Sequence, residues 1–138
     1  MVKYLLLALA LLLAAPSPAS AQGAIPCNQW TLVTATGVVL LTQIIPPSPN
    51  QRIGICGYAM IASVAAASMQ LHYGTGTNCG TGTTDLSVQV FLLSGGVLVN
   101  RSDYITERVP VGNAICYDTD RTGGNTGNME AVVYWTYF

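Results

Sequence analysis

Lysine is almost missing from this 138-residue chain: Lys3 is the only one, and the other basic side chains are Arg52, Arg101, Arg108 and Arg121. With so little positive charge there is no electrostatic footprint for a phosphate backbone, which excludes nucleic acid as a natural partner. Acidic residues are nearly as scarce, namely Asp85, Asp103, Glu107, Asp118, Asp120 and Glu130, so that charged residues make up only 8% of the chain. A surface this weakly charged does little to keep copies apart, and association with itself or with another surface protein is the natural expectation. Histidine occurs once, as His72. A zinc site needs several histidine or cysteine ligands at set spacing, and with the cysteines committed to disulfides none is left to form one. Long apolar runs are also lacking beyond the N-terminus; nothing after residue 21 approaches the ~20 residues of a membrane-spanning helix.

What is present begins with Lys3, an apolar run over residues 5–15, and Pro16-Ser17-Pro18-Ala19-Ser20-Ala21. This reads as a secretory signal over residues 1–21 with an Ala-x-Ala cleavage site, leaving a mature chain that starts at Gln22. No cysteine follows the cleavage site directly, so no lipid anchor is expected, and the mature protein should be secreted, periplasmic or at the cell surface. Residues 22–138 suffice for one core and not for two, which predicts a single domain. The four cysteines, Cys27, Cys56, Cys79 and Cys116, form an even set in an exported chain, so two disulfides are expected. Three pairings are open. Order along the chain favours Cys27 with Cys56 and Cys79 with Cys116, each closing a loop that stabilises the fold by roughly 3 to 4 kcal/mol on the chain-entropy account.

From Trp30 onward, short apolar or alternating runs are separated by glycine, proline and asparagine, the pattern of an all-β chain. Runs at residues 30–36 and 38–45 end at Pro46-Pro47-Ser48-Pro49-Asn50. The next run covers residues 52–61, with Ile53, Ile55, Ala59 and Ile61 at period two and Gly57 as a candidate bulge. The alanines of residues 58–69 would suit a helix, but the alternation of Met69, Leu71 and Tyr73 favours a strand. Leu86, Val88, Val90 and Leu92 alternate again, followed by runs at 97–100, 104–109 and 113–117, and by a closing strand at 131–138 that is apolar on both faces. Such a strand is either buried between two layers or meets another chain. The whole predicts a jelly-roll-like antiparallel β-sandwich of about eight strands.

Candidate chemistry is sparse. Alternation places His72 beside Gln70 on the outer face, where it reads as an exposed histidine without a nucleophile or acid partner. The loop Tyr73-Gly74-Thr75-Gly76-Thr77-Asn78-Cys79-Gly80-Thr81-Gly82-Thr83-Thr84 lacks the lysine and following helix of a phosphate-binding loop, and reads instead as a tight turn clamped through Cys79. Asp118, Asp120 and Thr122 resemble the first half of a calcium loop, which gathers oxygens around a hard cation, but Met129 stands at the twelfth position with Glu130 one place late. The alternative is a solvated hairpin loop, and no other cofactor is indicated. Asp103, Glu107, Asp118 and Glu130 would supply enough carboxylates for glycoside hydrolysis, which needs two across a cleft that small sandwiches rarely form; no enzymatic activity is expected.

Several segments together resemble a known group: Cys27, Gly54-Ile55-Cys56-Gly57-Tyr58, the loop at residues 73–84, Gly112-Asn113-Ala114-Ile115-Cys116 and the terminal Val132-Val133-Tyr134. They look like small secreted or phage-encoded, cysteine-containing β-sandwich proteins of unsettled function, and the resemblance covers most of the mature chain. It implies the fold, the disulfides and a structural or surface role, but no catalytic residue. The leading expectation is an exported, non-enzymatic subunit of an extracellular, surface or phage-derived assembly. Behind it stands a carbohydrate- or ligand-binding module using Trp30, Tyr58, Tyr104 or Trp135 as stacking platforms for a glycan. An outer-membrane barrel ending at Phe138 ranks last, because the strands are short for one.

Overall fold

The computed structural model describes residues 24–37, 39–62, 67–87, 90–119 and 128–138. The expected signal segment, Asp120 and Thr122 lie outside the described residues. The strands are β1 Gln29–Thr36, β2 Thr42–Ile45, β3 Ile53–Ala62, β4 Ala67–Thr75, β5 Thr81–Asp85, β6 Val90–Leu92, β7 Val97–Arg101, β8 Glu107–Val109, β9 Ala114–Thr119 and β10 Asn128–Tyr137. No helix among the described residues is long and apolar enough to cross a membrane.

Two antiparallel sheets form a sandwich. The first has the order β1-β10-β3-β7, with β8 also on β3, and the second has β2-β9-β4-β5, with β6 also on β4. In each sheet the outermost position on one side is shared by two short strands, so ten strands fill eight positions in the order of a jelly roll. Both chain ends of the described domain lie in the first sheet, where β10 sits between β1 and β3. The ambiguous run at 58–69 is strand at both ends, in β3 and β4, with its middle outside the described residues. Three boundaries differ from expectation: β2 begins only at Thr42, β8 only at Glu107, and Thr81–Asp85, read as loop, pairs with β4 as a strand. Threonine's β-branched side chain suits an edge strand even between glycines.

One irregularity decides which residues face outward. Between β10 and β3 the register jumps, so that Tyr134 pairs with Gly57 and Trp135 with Ile55, leaving Cys56 as the extra residue of a bulge. Gly57 takes φ +142°, and a Cβ there would lie 2.0 Å from the Asn100 carbonyl oxygen, so only glycine fits. Gly57 is thus a bulge position, as its sequence context predicts. The same bulge overturns the expectation that Ala59 and Ile61 share a face with Ile53 and Ile55. Tyr58, Met60 and Ala62 turn inward instead, and Ile61 is exposed.

The core lies between the sheets. Val33 and Ala35 from β1, Ile53, Ile55 and Met60 from β3, and Met129, Ala131, Val133 and Trp135 from β10 meet Ile45, Met69, Leu71, Ile115 and Tyr117 from the second sheet. The disulfides are Cys27–Cys56 and Cys79–Cys116, closing sequence separations of 29 and 37 residues.

Candidate interaction surface

One end of the outer face of the second sheet is covered by the turn of the chain's own glycine and threonine loop. Tyr73 to Thr75 belong to β4 and Thr81 to Thr84 to β5, joined by a short 3₁₀ turn, Thr77–Cys79. Gly74 permits the fold-back: a Cβ there would stand 2.9 Å from the Cys79 carbonyl oxygen. Asn78 Oδ1 accepts a hydrogen bond from the Gln43 backbone N–H at 3.2 Å, tying the turn to β2. Cys79, Ala114 and Cys116 then form a small buried cluster with Leu41 on that face. The loop is therefore a clamp, as its cysteine implies.

His72 proves the opposite of an exposed outer-face residue. It is only 6% exposed, beside Cys116 in the register of β4 and β9. Its Nδ1 is 3.0 Å from Asp85 Oδ1, the residue opposite it on β5. Its Nε2 is 3.2 Å from Asp118 Oδ1, at an angle that misses a hydrogen bond. Sequence alternation gives its face correctly but not its burial. Asp85 could have been found only by recognising residues 81–85 as a strand. Both ring nitrogens face carboxylates, and the neighbouring sulfur is in a disulfide, so these contacts orient the ring.

Of the calcium candidates, only Asp118 is described, and its carboxylate is turned toward His72. Among the described residues no three His, Cys, Asp or Glu side chains gather to hold a metal. The carboxylates considered for hydrolysis are dispersed: Asp118 points off the second sheet beside His72, whereas Glu130 stands exposed on the first. A different acidic pair lines a cleft. Asp85 and Glu107, with Tyr58, Gln70, Ser87 and Asn100, border an open hollow of about 710 Å³ where the two broken edge strands leave the sandwich open. Burial pushes the phenols of Tyr117 and Tyr137 above the ordinary tyrosine range.

Among the described residues, nothing covers most of the outer face of the first sheet. Its rows run across all four strands. Leu32, Val132, Ala59 and Val99 make the central row, Thr34, Glu130, Ile61 and Val97 the row on one side, and Trp30, Tyr134, Gly57 and Arg101 the row on the other. Trp30, Leu32, Ile61, Val97 and Val99 are between 45% and 67% exposed. The Arg101 guanidinium lies 4.3 Å from the centre of the Tyr134 ring, reaching it across the side-chain-free Gly57. Only the next row is covered, where Ile105 packs on Gly54 and Asn28 Oδ1 accepts from the Thr136 hydroxyl. Of the four aromatic candidates, Tyr58 and Trp135 are core, while Trp30 and Tyr104 are exposed. No protein-family model, curated protein or solved structure matches the chain.

Proposed function

We propose that this protein is an exported, non-enzymatic subunit that works by association through the outer face of its first sheet. The observation that carries the reading is the continuous apolar row of Leu32, Val132, Ala59 and Val99, flanked by Trp30, Ile61 and Val97. Monomeric domains seldom leave a contiguous apolar patch of this kind on the central strands of a sheet, and larger ones mark sites of protein contact. The paired cysteines suit an oxidising compartment outside the cytosol. Size-exclusion chromatography with light scattering tests it: a mass above the monomer is expected, falling to the monomer in a Leu32→Asp, Val99→Asp variant. A clean monomer at high concentration counts against it.

The cleft supports a second reading, a binding module for a small polar ligand such as a sugar. Gln70, Asn100, Asp85 and Glu107 offer hydrogen-bonding groups around a hollow large enough for a small ligand, which is the mixture such sites use.

A further inference from the structure

The partner of the apolar face can be identified from the way its charges are placed. Val132 lies at the centre of the face on β10, with Glu130 two residues to one side and Tyr134 two to the other. Glu130 is exposed and has no ion-pair partner among the described residues. Arg101 belongs to the edge strand β7, yet its guanidinium is laid over Tyr134 on β10. One strand position therefore presents, in sequence, a carboxylate, a valine and a guanidinium stacked on a ring.

That order is self-complementary. We propose that this face pairs with a second copy of the same chain about a two-fold axis running along the Leu32, Val132, Ala59 and Val99 row. Rotation about that axis lays each strand on its own counterpart, runs the two strands in opposite directions and exchanges the flanking rows. Glu130 of each copy then meets the guanidinium of Arg101 in the other, twice per dimer. Thr34 faces Trp30, and Ile61 meets the aliphatic stem of Arg101 where it crosses Gly57. Sheets packed in this way lie within about 30° of alignment, as in any aligned sandwich. An axis parallel to the strands through the middle of the face would instead exchange β10 with β3 and lay Glu130 on Ile61, leaving its carboxylate on an apolar side chain without a counter-charge.

The size of the face is sufficient and no more. Four strands about 4.8 Å apart and five residues at about 3.3 Å each span roughly 19 Å by 17 Å. Protruding side chains bring the accessible area to roughly 500 Å² per copy, so that a dimer buries on the order of 1,000 Å², the lower bound for specific contacts. The pairing should thus depend on concentration, with the ionic contacts setting its register.

This inference rests on the proposed use of the face, and the two can fail separately. Sedimentation velocity on the purified, disulfide-bonded protein would compare Glu130→Arg, Arg101→Glu and their equimolar mixture. Each single variant places like charges across the axis and should weaken pairing by about tenfold or more. In the mixture the two variants should form a heterodimer as tight as the parent within about threefold, because every facing pair is again opposite in sign. A mixture no tighter than its components overturns the two-fold arrangement. If the Leu32→Asp, Val99→Asp variant still dissociates the protein in that case, use of the face survives while its register does not. If that variant leaves the mass unchanged, the face itself is not the site. Melting curves of both charge variants should match the parent to within a few degrees, which separates lost pairing from a lost fold.

Discussion

The two outer faces of this sandwich have been finished in opposite ways. On the second sheet, the chain doubles back as a glycine and threonine hairpin whose turn is locked down by Cys79–Cys116, and His72, on the β4 strand of that hairpin, is buried beside Cys116. On the first sheet, Cys27–Cys56 joins the β3 bulge to the N-terminal segment, whose Asn28 meets Thr136, and the rows beyond carry exposed tryptophan, leucine, isoleucine and valine. Both faces have apolar material to cover. On the second sheet the disulfide-pinned turn buries Cys79, Ala114 and Cys116, though Phe91 of β6 stays 57% exposed, while on the first the central rows are left open.

The largest test of this contrast removes the inner cover. Replacing Cys79 and Cys116 together with alanine should cost roughly 3 to 4 kcal/mol, from the loop-closure entropy of the unfolded chain. For a domain of this size that corresponds to about 10 to 20 °C in the melting midpoint. Sedimentation should show the oligomeric state unaltered, since the first sheet is untouched. A loss of association with the clamp would mean that the two faces are not independent.

A slightly smaller effect should follow from Gly57→Ala. The new Cβ would stand 2.0 Å from a backbone oxygen at a φ of +142°, so the bulge must shift or flatten. Strain of this kind costs about 2 to 3 kcal/mol. A shifted bulge also moves Ile61 relative to Arg101 and Tyr134, so here, unlike the clamp variant, both thermal stability and association should fall. A variant that melts lower but pairs normally would separate the bulge from the construction of the face.

These cases show what the chain discloses before folding. The all-β class, the presence of two disulfides and the bulge at Gly57 are legible, because period-two alternation, an even cysteine set and an isolated glycine each have a cause in the chain itself, while the pairing, one of three, is only favoured by order along it. The facing of Ala59 and Ile61 is not legible. A bulge inverts every position beyond it, so reading residues 52–61 as one alternating run put the exposed Ile61 inside. The burial of His72 was hidden for another reason: β5 pairs beside it and sets Asp85 opposite it, and a threonine run between glycines looks more like turn than strand. That β10 would be apolar outward as well as inward was readable, but which of its outward residues form rows with β1, β3 and β7 required the register.

The smallest expected effect concerns the ring beneath the clamp. If the hairpin on the second sheet is a finished surface, the contacts of His72 should be structural and modest. Its partner Asp85 has a side chain 70% exposed, so water and salt screen that pair, while Asp118 at 18% is more sheltered. A double-mutant cycle of His72→Ala with Asp85→Asn should therefore give a coupling of about 0.5 to 1 kcal/mol at low salt. The His72→Ala change alone should cost more, about 1 to 3 kcal/mol, because it also empties a buried position beside Cys116. Neither variant should alter self-association, since both lie on the second sheet, away from the proposed face. A coupling above 2 kcal/mol would place Asp85 in a drier site than its exposure indicates, and would make this edge of the hairpin a rigid wall of the adjoining cleft.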